Sequence, residues 1–487
     1  MGRRKRRRGK PQRDRSERIS SSQRLSAKPF PSSFNYYAFL LVLALGIVLR
    51  VVVFIHMGYL NNDNHLEVIE YVAHRWMSPH ANQFNQAYHP PLYYFLAAVF
   101  LRLGGVEAVH GLTLILSIAT LLLTARLLRG LPWINQKMQP WCLALAAFQP
   151  QFIMFSLFVS NDTLAIFLGV LIFYQCWRVQ EIPSLSNYSL LGIWLGLGLL
   201  TKAVFLAFVL PVILFVWMTG RQRALPHAQL ISRLALLLLV TSVLGCYKYV
   251  ENFILFGNPM VSNLDLWDWM GNQQQPTWIG FRSLFDFNLL KLVRHPIIST
   301  ATVHSYPLMI YGSFWYSLIP ESTFHGNLVP PFNRLGSMIY VVALCPTLLM
   351  LVGATRTGIA AFRLGSSVTP EPSASSRDRF IYEISLLLTL LVNFFLILAA
   401  GWRYDVWSIF QGRLLFPSYF ALLLAFNAGM EWAESSRLGT NLIRCLMVAL
   451  IALFLAYFIV EVWLAILYPV NPLRTDHMPY TINMNVR

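Results

Sequence analysis

Two acidic residues of this chain are spaced so that they can act together. Asp63 and Glu67 are four positions apart, so on a helix they would share one face, with like charges about 6 Å apart. Repulsion between the two carboxylates would raise the pKa of one of them and allow it to act as a general base. The same spacing is equally typical of a solvated helix face, so the pattern by itself leaves both interpretations open.

Three cations lie where apolar segments end. Lys202 follows one such segment, Arg403 follows another, and Arg413 precedes a third. Arginine and lysine at these positions can bind a phosphate or pyrophosphate group at a membrane surface. His89 comes before two prolines, which predict an extended turn in which its ring could line a pocket. A single histidine is nevertheless more often a structural residue.

The elements that carry these residues are predicted to be membrane-spanning helices. Of the 487 residues, 56% are hydrophobic and 12% are charged, whereas a soluble domain has about 25% charged residues. The apolar residues form runs of about twenty instead of alternating, which favours helices over a barrel. The sequence therefore predicts an all-α integral membrane fold with about eleven transmembrane helices. The predicted spans are 35–56, 107–129, 140–160, 163–177, 187–201, 203–219, 229–250, 335–354, 380–400, 414–432 and 442–468.

Two shorter helical segments are expected beside the first loop. Residues 66–71 can form a helix at the interface, and the apolar segment 90–104 is too short for a full crossing, so we expect it to be juxtamembrane or re-entrant. The transmembrane domain is expected to cover 35–468. Its loops at 57–89 and 251–333, together with the tail 469–487, are predicted to lie on the outer side of the membrane.

The basic N-terminal tail sets this orientation. Residues 1–34 contain twelve Lys or Arg and two acidic residues, so the tail carries +10 of the formal net charge of +17. Such a run can bind nucleic acid, but a membrane span follows it directly, which favours a disordered cytoplasmic tail that touches anionic lipid. We therefore expect a cytoplasmic N-terminus, membrane lipids as partners and no nucleic-acid partner.

With this topology, polar residues from separate parts of the chain converge at the outer face. Ionisable groups near lipid are costly, so they are usually paired or functional. Interfacial charges that reach water are the alternative for any single residue, but the set as a whole predicts a site. Its members are Asp63, Glu67, His89, Asp162, Lys202, Glu251, Arg403, Asp405 and Arg413.

Cysteine and metal chemistry are not indicated by the sequence. The five cysteines are dispersed among apolar runs, which predicts unpaired thiols and neither a disulfide framework nor a zinc site. Asp265 and Asp268 form an Asp-x-x-Asp pattern, which is only a weak indication of a metal. We expect no cofactor and no resident metal, and a requirement for a divalent ion is the open alternative.

Several of these motifs occur together in a known superfamily. The layout resembles that of the GT-C membrane glycosyltransferases, and especially the bacterial relatives of protein O-mannosyltransferases and of lipid A aminoarabinose transferases. The order and spacing of the motifs carry this resemblance. The motifs are Asp63-x-x-x-Glu67, Tyr88-His89-Pro90-Pro91-Leu92-Tyr93-Tyr94, Ser160-Asn161-Asp162-Thr163-Leu164-Ala165, Gly198-Leu199-Leu200-Thr201-Lys202, Asn252-x-x-x-Phe256-Gly257-Asn258-Pro259 and Gln411-Gly412-Arg413-Leu414-Leu415-Phe416-Pro417.

The resemblance implies a reaction and roles for the residues. It implies an inverting transfer of a sugar from a polyprenyl-phosphate-linked donor to a lipid, glycan or protein acceptor at the outer face of a bacterial inner membrane. Asp63, with Glu67, would be catalytic, although the family commonly pairs acidic residues where this chain has Asn62 and Asn64. The expected donor-phosphate ligands are Lys202, Arg413 and Arg403, and the expected pocket residues are His89, Tyr93, Asp162 and Glu251.

A transporter of lipid or polysaccharide, or a non-catalytic assembly partner, is the alternative function. Transporters tend to show internal repeats and ionisable residues at the middle of the membrane in broken helices. Neither feature is clear in this sequence, so the glycosyltransferase hypothesis is preferred.

Overall fold

The described part of the chain is built of helices. The computed structural model describes residues 33–57, 64–267, 276–297, 301–316, 329–365, 374–435 and 439–467, and these contain no β-strand. The first ten helices are α1 (Ser33–Met57), α2 (His65–Arg75), α3 (Leu92–Gly130), α4 (Gln139–Phe148), α5 (Pro150–Leu157), α6 (Asn161–Glu181), α7 (Leu185–Leu199), α8 (Leu206–Gln222), α9 (His227–Gly245) and α10 (Tyr247–Phe256).

The described residues of the second half of the chain form nine further helices. Short 3₁₀ turns at Ala203–Phe205, Trp407–Ile409 and Gly412–Ser418 come directly before longer helices or connect them. The helices are α11 (Asn263–Leu266), α12 (Arg282–Phe285), α13 (Leu289–Arg294), α14 (Tyr306–Trp315), α15 (Val329–Val342), α16 (Leu344–Gly365), α17 (Ala374–Tyr404), α18 (Tyr419–Ser435) and α19 (Thr440–Leu467).

The all-α membrane fold is confirmed. Within the described ranges, nine helices are long and apolar enough to cross a membrane, and the bent pair α4–α5 would be a tenth. Helix α7, at 15 residues, is apolar but shorter than these. The eleven predicted spans correspond to these nine helices, the bent pair and α7. Interfaces between the helices bury one continuous apolar core.

The expected juxtamembrane segment is separated from its span by a kink. Helix α3 begins at Leu92 and includes two non-helical residues, Gly104 and Gly105. Gly105 has φ of +71° and ψ of −163°, a region of conformational space that is essentially restricted to glycine. The kink therefore divides residues 92–103 from the longer part of α3, as the sequence predicted.

The third predicted span is broken, which the sequence analysis did not anticipate. Helix α4 ends at Phe148, α5 begins at Pro150, and their axes differ by 54°. Proline at position 150 cannot donate a backbone hydrogen bond, so a continuous helix would lose one at this point. The Gln149 side chain donates to the carbonyl of Phe314 at 2.6 Å, which fixes the break against α14.

A buried arginine caps the end of α4. Arg50, on α1, is fully buried, and its guanidinium donates to the carbonyls of Ala146 and Ala147 at 2.9 and 3.1 Å. These carbonyls are among the last of α4 and have no partner within the helix. The positive charge also faces the negative end of the helix dipole. Arg50 is therefore held inside the bundle, and it does not extend to the interface.

Candidate functional site

Asp162 lies at the start of α6, where the chain enters a helix from a short extended turn. The Ser160 hydroxyl accepts from the backbone N–H of Asp162 at 3.2 Å and caps the helix. The Thr163 hydroxyl donates to the carbonyl of Phe158 at 2.8 Å, and this second hydrogen bond fixes the turn that precedes α6. A carboxylate at a helix N-terminus is stabilised by the helix dipole. Asp162 is thus buried and rigidly placed.

Lys202 reaches Asp162 from the end of α7. After Leu199 the backbone turns, and the N–H of Lys202 donates to the carbonyl of Gly198 at 3.0 Å. The lysine Nζ lies 2.5 Å from Oδ1 of Asp162, and the side chains are 12% and 5% exposed. The two groups therefore form a nearly buried ion pair, which is held by a hydrogen bond between charged groups.

Arg413 approaches the same carboxylate from the opposite side. Its guanidinium Nη1 lies 3.8 Å from Oδ2 of Asp162, and its centre lies 4.6 Å from the centroid of the Phe155 ring. The preceding N–H, that of Gly412, donates to Ser313 Oγ at 2.7 Å. A Cβ at Gly412 would lie 2.5 Å from the carbonyl oxygen of Ile310, so this close approach requires glycine.

The turn that contains His89 is hydrogen-bonded directly to the loop that contains Lys202. The N–H of Leu92, which follows the two prolines, donates to the carbonyl of Leu200 at 2.9 Å. The rings of His89 and His65 are stacked with their centroids 6.0 Å apart. Burial, together with the positive charges of Lys202 and other neighbours, holds the pKa of His89 well below its usual range. His89 is therefore neutral near pH 7, and it can donate or accept a hydrogen bond without adding charge.

The described charges of this cluster sum to a positive value. Lys202 and Arg413 share one carboxylate, and His89 is neutral, so these side chains together carry one net positive charge. Buried cations are stable only where opposite charges or hydrogen bonds compensate for lost hydration. Arg413 presents the fork geometry that phosphates accept.

Two further residues bring unused polar groups to this region. The side-chain amide of Asn161 is fully buried, and neither its oxygen nor its nitrogen has a hydrogen-bond partner within the described residues. The hydroxyl of Tyr93 is also buried and has no partner in the described part of the chain, while its ring meets His65 edge-on. Asn161 was not singled out from the sequence, although it lies in the same motif as Asp162.

Glu251 and Arg403 are placed in other ion pairs. Glu251 accepts from Lys248 Nζ at 2.7 Å and lies 3.1 Å from His80 Nδ1, which ties α10 to the first loop. Arg403 pairs with Asp265 at 2.8 Å, and its side chain is 52% exposed. The sequence grouped Arg403 with the phosphate ligands, but its observed partner belongs to the α11 segment and not to the Asp162 cluster.

Asp405 likewise has a structural contact. Its carboxylate accepts from the backbone N–H groups of Thr277 and Trp278 at 2.9 and 2.8 Å. Asp405 has a positive φ of 50°, which is uncommon outside glycine and asparagine. This residue therefore fixes the chain around 277–278 against the end of α17.

The acidic pair in the first loop is only partly described. Glu67 lies on α2 and is exposed, and its pKa is raised by partial burial and by the charge of Glu70. Asp63, the expected base, lies outside the described residues, and so does Asp268 of the Asp-x-x-Asp pattern. No cluster of three or more metal-binding side chains occurs in the ranges that the structure describes.

Part of the chain matches the model of one known family. Residues 88–244 match the family described as dolichyl-phosphate-mannose-protein mannosyltransferase. This confirms the resemblance to membrane glycosyltransferases. The matched segment is roughly a third of the chain and contains His89, Asp162 and Lys202. No curated protein sequence is significantly similar to the chain.

Three solved structures show more distant similarity. The oligosaccharyltransferase of Archaeoglobus fulgidus, in complex with Zn and sulfate, has 13% identity and a TM-score of 0.44, with 87% of this chain and 53% of that chain covered. The present chain thus spans about half the length of that protein.

The other two are of ArnT from Cupriavidus metallidurans. Its apo form has 14% identity and a TM-score of 0.36, with 82% of this chain and 80% of that chain covered. Its form bound to undecaprenyl phosphate has 15% identity and a TM-score of 0.35, with coverages of 83% and 79%. At these TM-scores and identities, none of the three assigns a residue role or a reaction to this chain.

Proposed function

We propose that this protein transfers a sugar from a polyprenyl-phosphate-linked donor to a hydroxyl acceptor. The observation that carries the proposal is the convergence of Lys202 and Arg413 on the buried carboxylate of Asp162. The family match over 88–244 supports the class of reaction. The proposed acceptor is a lipid, a glycan or a protein.

In the proposed reaction the phosphate is the leaving group. The acceptor oxygen attacks the anomeric carbon, the bond from that carbon to the phosphate oxygen breaks, and polyprenyl phosphate leaves with both bonding electrons. Charge on the phosphate increases as this bond breaks, so Lys202 and Arg413 would stabilise the transition state more than the ground state. Attack from the side opposite the phosphate inverts the anomeric configuration.

A base must accept the proton from the attacking hydroxyl. The resemblance assigns this role to Asp63, with Glu67 four residues further along. We propose that Asn161 and Tyr93, whose buried polar groups have no partner within the described residues, receive hydroxyl groups of the sugar. Neutral His89 would add a hydrogen bond there without opposing the phosphate-binding cations.

In the proposed orientation, this chemistry takes place at the outer face of the membrane. The positive-inside pattern supports a cytoplasmic tail at 1–34, a transmembrane domain over 35–468 and an outer tail at 469–487. The membrane would be the inner membrane of a bacterium. Neither a cofactor nor a metal is required by the proposed reaction, because the two cations provide the charge that a metal ion would supply.

The reaction is tested by supplying purified protein in lipid nanodiscs with polyprenyl-phosphate sugars and candidate acceptors. Candidates come from mass spectrometry of lipid-linked sugars and envelope glycans with and without the gene. We expect a glycosylated product of inverted configuration and an equal amount of free polyprenyl phosphate. Failure of every donor class to react, with the protein folded and binding polyprenyl phosphate, would contradict the enzymatic function.

The role of the proposed base is tested by Asp63→Asn, which keeps the size of the side chain and removes its charge. Transfer should fall by about 10²–10⁴-fold, since this is the usual contribution of a positioned general base. Binding of polyprenyl phosphate should persist. Glu70→Gln, at an exposed position of α2, is the matched control for charge loss in the same region. Normal transfer by Asp63→Asn would remove Asp63 from the catalytic step.

A further inference from the structure

The segment 276–297 exposes an unusual number of large apolar side chains. Each belongs to a short stretch between α11 and α14 that includes α12 and α13. Isolated apolar residues are normal on a protein surface, but a group of this size marks an interaction site. The side chains and their exposed fractions are Ile279 (64%), Phe281 (75%), Phe285 (79%), Phe287 (43%) and Leu290 (61%).

We propose that this segment is an interfacial membrane anchor whose apolar side chains contact the lipid acyl chains of one leaflet. The leaflet is the one at the C-terminal end of α17 and the N-terminal end of α15. These two ends lie on the same side, because α15–α16 and α17 are consecutive crossings. The proposal requires only that the protein spans a membrane, so it is independent of the proposed reaction.

Contacts at one end of the segment fix its depth. The Ser337 hydroxyl donates to the carbonyl of Val293 at 2.6 Å, and the Tyr340 hydroxyl donates to the carbonyl of Pro296 at 2.7 Å. Both donors lie within the apolar stretch 335–354. At 1.5 Å per residue, Tyr340 is roughly 7 Å inside the start of that stretch. Residues 293–296 therefore lie at or below the boundary between headgroups and acyl chains.

The satisfied carbonyls support this depth. Backbone polar groups that enter the hydrocarbon must find partners in the protein, because no water is available there. The carbonyls of Val293 and Pro296 each receive a hydroxyl from α15. Lipid-exposed backbone at this level would otherwise be strongly unfavourable.

The other end of the segment is held at the same boundary. The ring of Trp278 lies 4.5 Å, centroid to centroid, from that of Trp402, near the end of the α17 span. Asp405 accepts from the N–H of Trp278 at 2.8 Å. Trp402 is itself 57% exposed, and tryptophan is enriched where a membrane meets water. Both ends of 276–297 thus lie at the level of the interface.

Charged residues in the segment match this location. Arg282, Lys291 and Arg294 are accompanied by a single acidic residue, Asp286, whose carboxylate lies 2.5 Å from Lys291 Nζ. Basic residues interspersed with aromatic and aliphatic ones are typical of segments that lie in the membrane plane. The contacts of Val293 with Ser337 and of Trp278 with Trp402 attach this segment to α15 and α17.

The proposal is tested by the depth of single introduced cysteines. Phe281→Cys and Phe285→Cys are made in a background that lacks Cys246, Cys345 and Cys445; the buried Cys142 and Cys176 are retained. Each purified variant receives an environment-sensitive fluorophore and is placed in nanodiscs. Quenching by lipids brominated on their acyl chains is compared with quenching by iodide in the water. Size-exclusion profiles must match those of the unlabelled protein.

Two further positions provide the reference values. Ile459→Cys, on the exposed face of α19, reports contact with lipid, and Asn82→Cys, in an exposed polar turn, reports contact with water. We expect labels at 281 and 285 to resemble the label at 459, with strong quenching by brominated lipid and weak quenching by iodide. A ratio closer to that at 82 would overturn the proposal and leave the surface available to a protein or glycan partner.

Discussion

At the scale of residues, one carboxylate holds two cations in place. Asp162 lies between Lys202 and Arg413, and all three side chains are at most 14% exposed. Removing one partner of such a buried pair is costly, because it leaves a buried charge without compensation. Asp162 therefore holds the two cations in position, and the pocket role predicted for it stays a prediction.

Replacing this carboxylate should destabilise the protein. Asp162→Asn leaves two cations close together without their counter-charge, and breaking a buried pair in this way costs about 3–5 kcal/mol. Thermal unfolding in nanodiscs should show a clear loss of stability. The double variant Asp162→Asn with Lys202→Met removes one cation as well and should recover part of that loss. Unfolding of Asp162→Asn at the wild-type temperature would contradict the ion-pair arrangement.

The neutral state of His89 predicts a dependence of stability on pH. Its pKa is lowered in the folded protein, so below pH ~6.5 the unfolded chain binds a proton that the folded chain does not. Stability should therefore fall as the pH decreases from 7 towards the folded pKa. The contribution of His89 is about 1.4 kcal/mol for each pH unit below 6.5.

The His89→Gln variant isolates this contribution. Glutamine retains hydrogen bonding but does not titrate, so its stability should fall less steeply between pH 7 and 5. Unfolding of both proteins measured across this interval checks the difference. Equal slopes for wild type and His89→Gln would show that His89 becomes protonated in the folded state as readily as in the unfolded chain.

At the scale of elements, the break between α4 and α5 positions the aromatic surface under Arg413. Helix α5 carries Phe155, whose ring lies beneath the Arg413 guanidinium, and it leads into the turn that presents Asp162. Arg50 satisfies the carbonyls at the end of α4, so the break does not leave them without partners. A residue far from the cluster in sequence thus helps to define its geometry.

Arg50→Met should destabilise the protein, because Arg50 stabilises the break between α4 and α5. The variant retains an unbranched apolar stem but leaves the carbonyls of Ala146 and Ala147 unsatisfied, at a cost of about 1–3 kcal/mol for each such group. We expect a lower unfolding temperature. Arg444→Met is a matched control, because Arg444 is 43% exposed in its pair with Glu434 and should contribute less than about 1 kcal/mol. Equal melting of the two variants would show that Arg50 does not support the break.

The sequence predicted most elements because apolar length is a strong local signal. The predicted and observed spans agree to within a few residues for α6, α9 and α19, and the glycine kink separates the short segment 92–103 from its span. The break at Pro150 was missed because it lies inside a long apolar run. The proline itself was a usable signal, but the direction of the bend depends on packing against α14.

At the scale of the whole molecule, a topology predicted from sequence gives the depth of a residue in the membrane. It does not give the position of that residue around the helix bundle. The sequence predicted that residues at the ends of several spans share one membrane face, and of these Asp162, Lys202 and Arg413 do meet. Arg403 has the same predicted depth but faces Asp265 at another place on the circumference. No local sequence pattern encodes the position of a residue around the bundle, because that position depends on how all the helices pack together.

This difference between Arg403 and the clustered cations supplies the most direct test. The measurement is the affinity for polyprenyl phosphate in nanodiscs, by native mass spectrometry, of wild type, Lys202→Met, Arg413→Met and Arg403→Met. Loss of one charge-assisted hydrogen bond costs about 1.5–3 kcal/mol, so the first two variants should bind about 10–150-fold more weakly. Arg403→Met should bind nearly as wild type, because its cation pairs with Asp265. Wild-type affinity in Lys202→Met and Arg413→Met, or an equal loss in Arg403→Met, would contradict a phosphate site at Asp162.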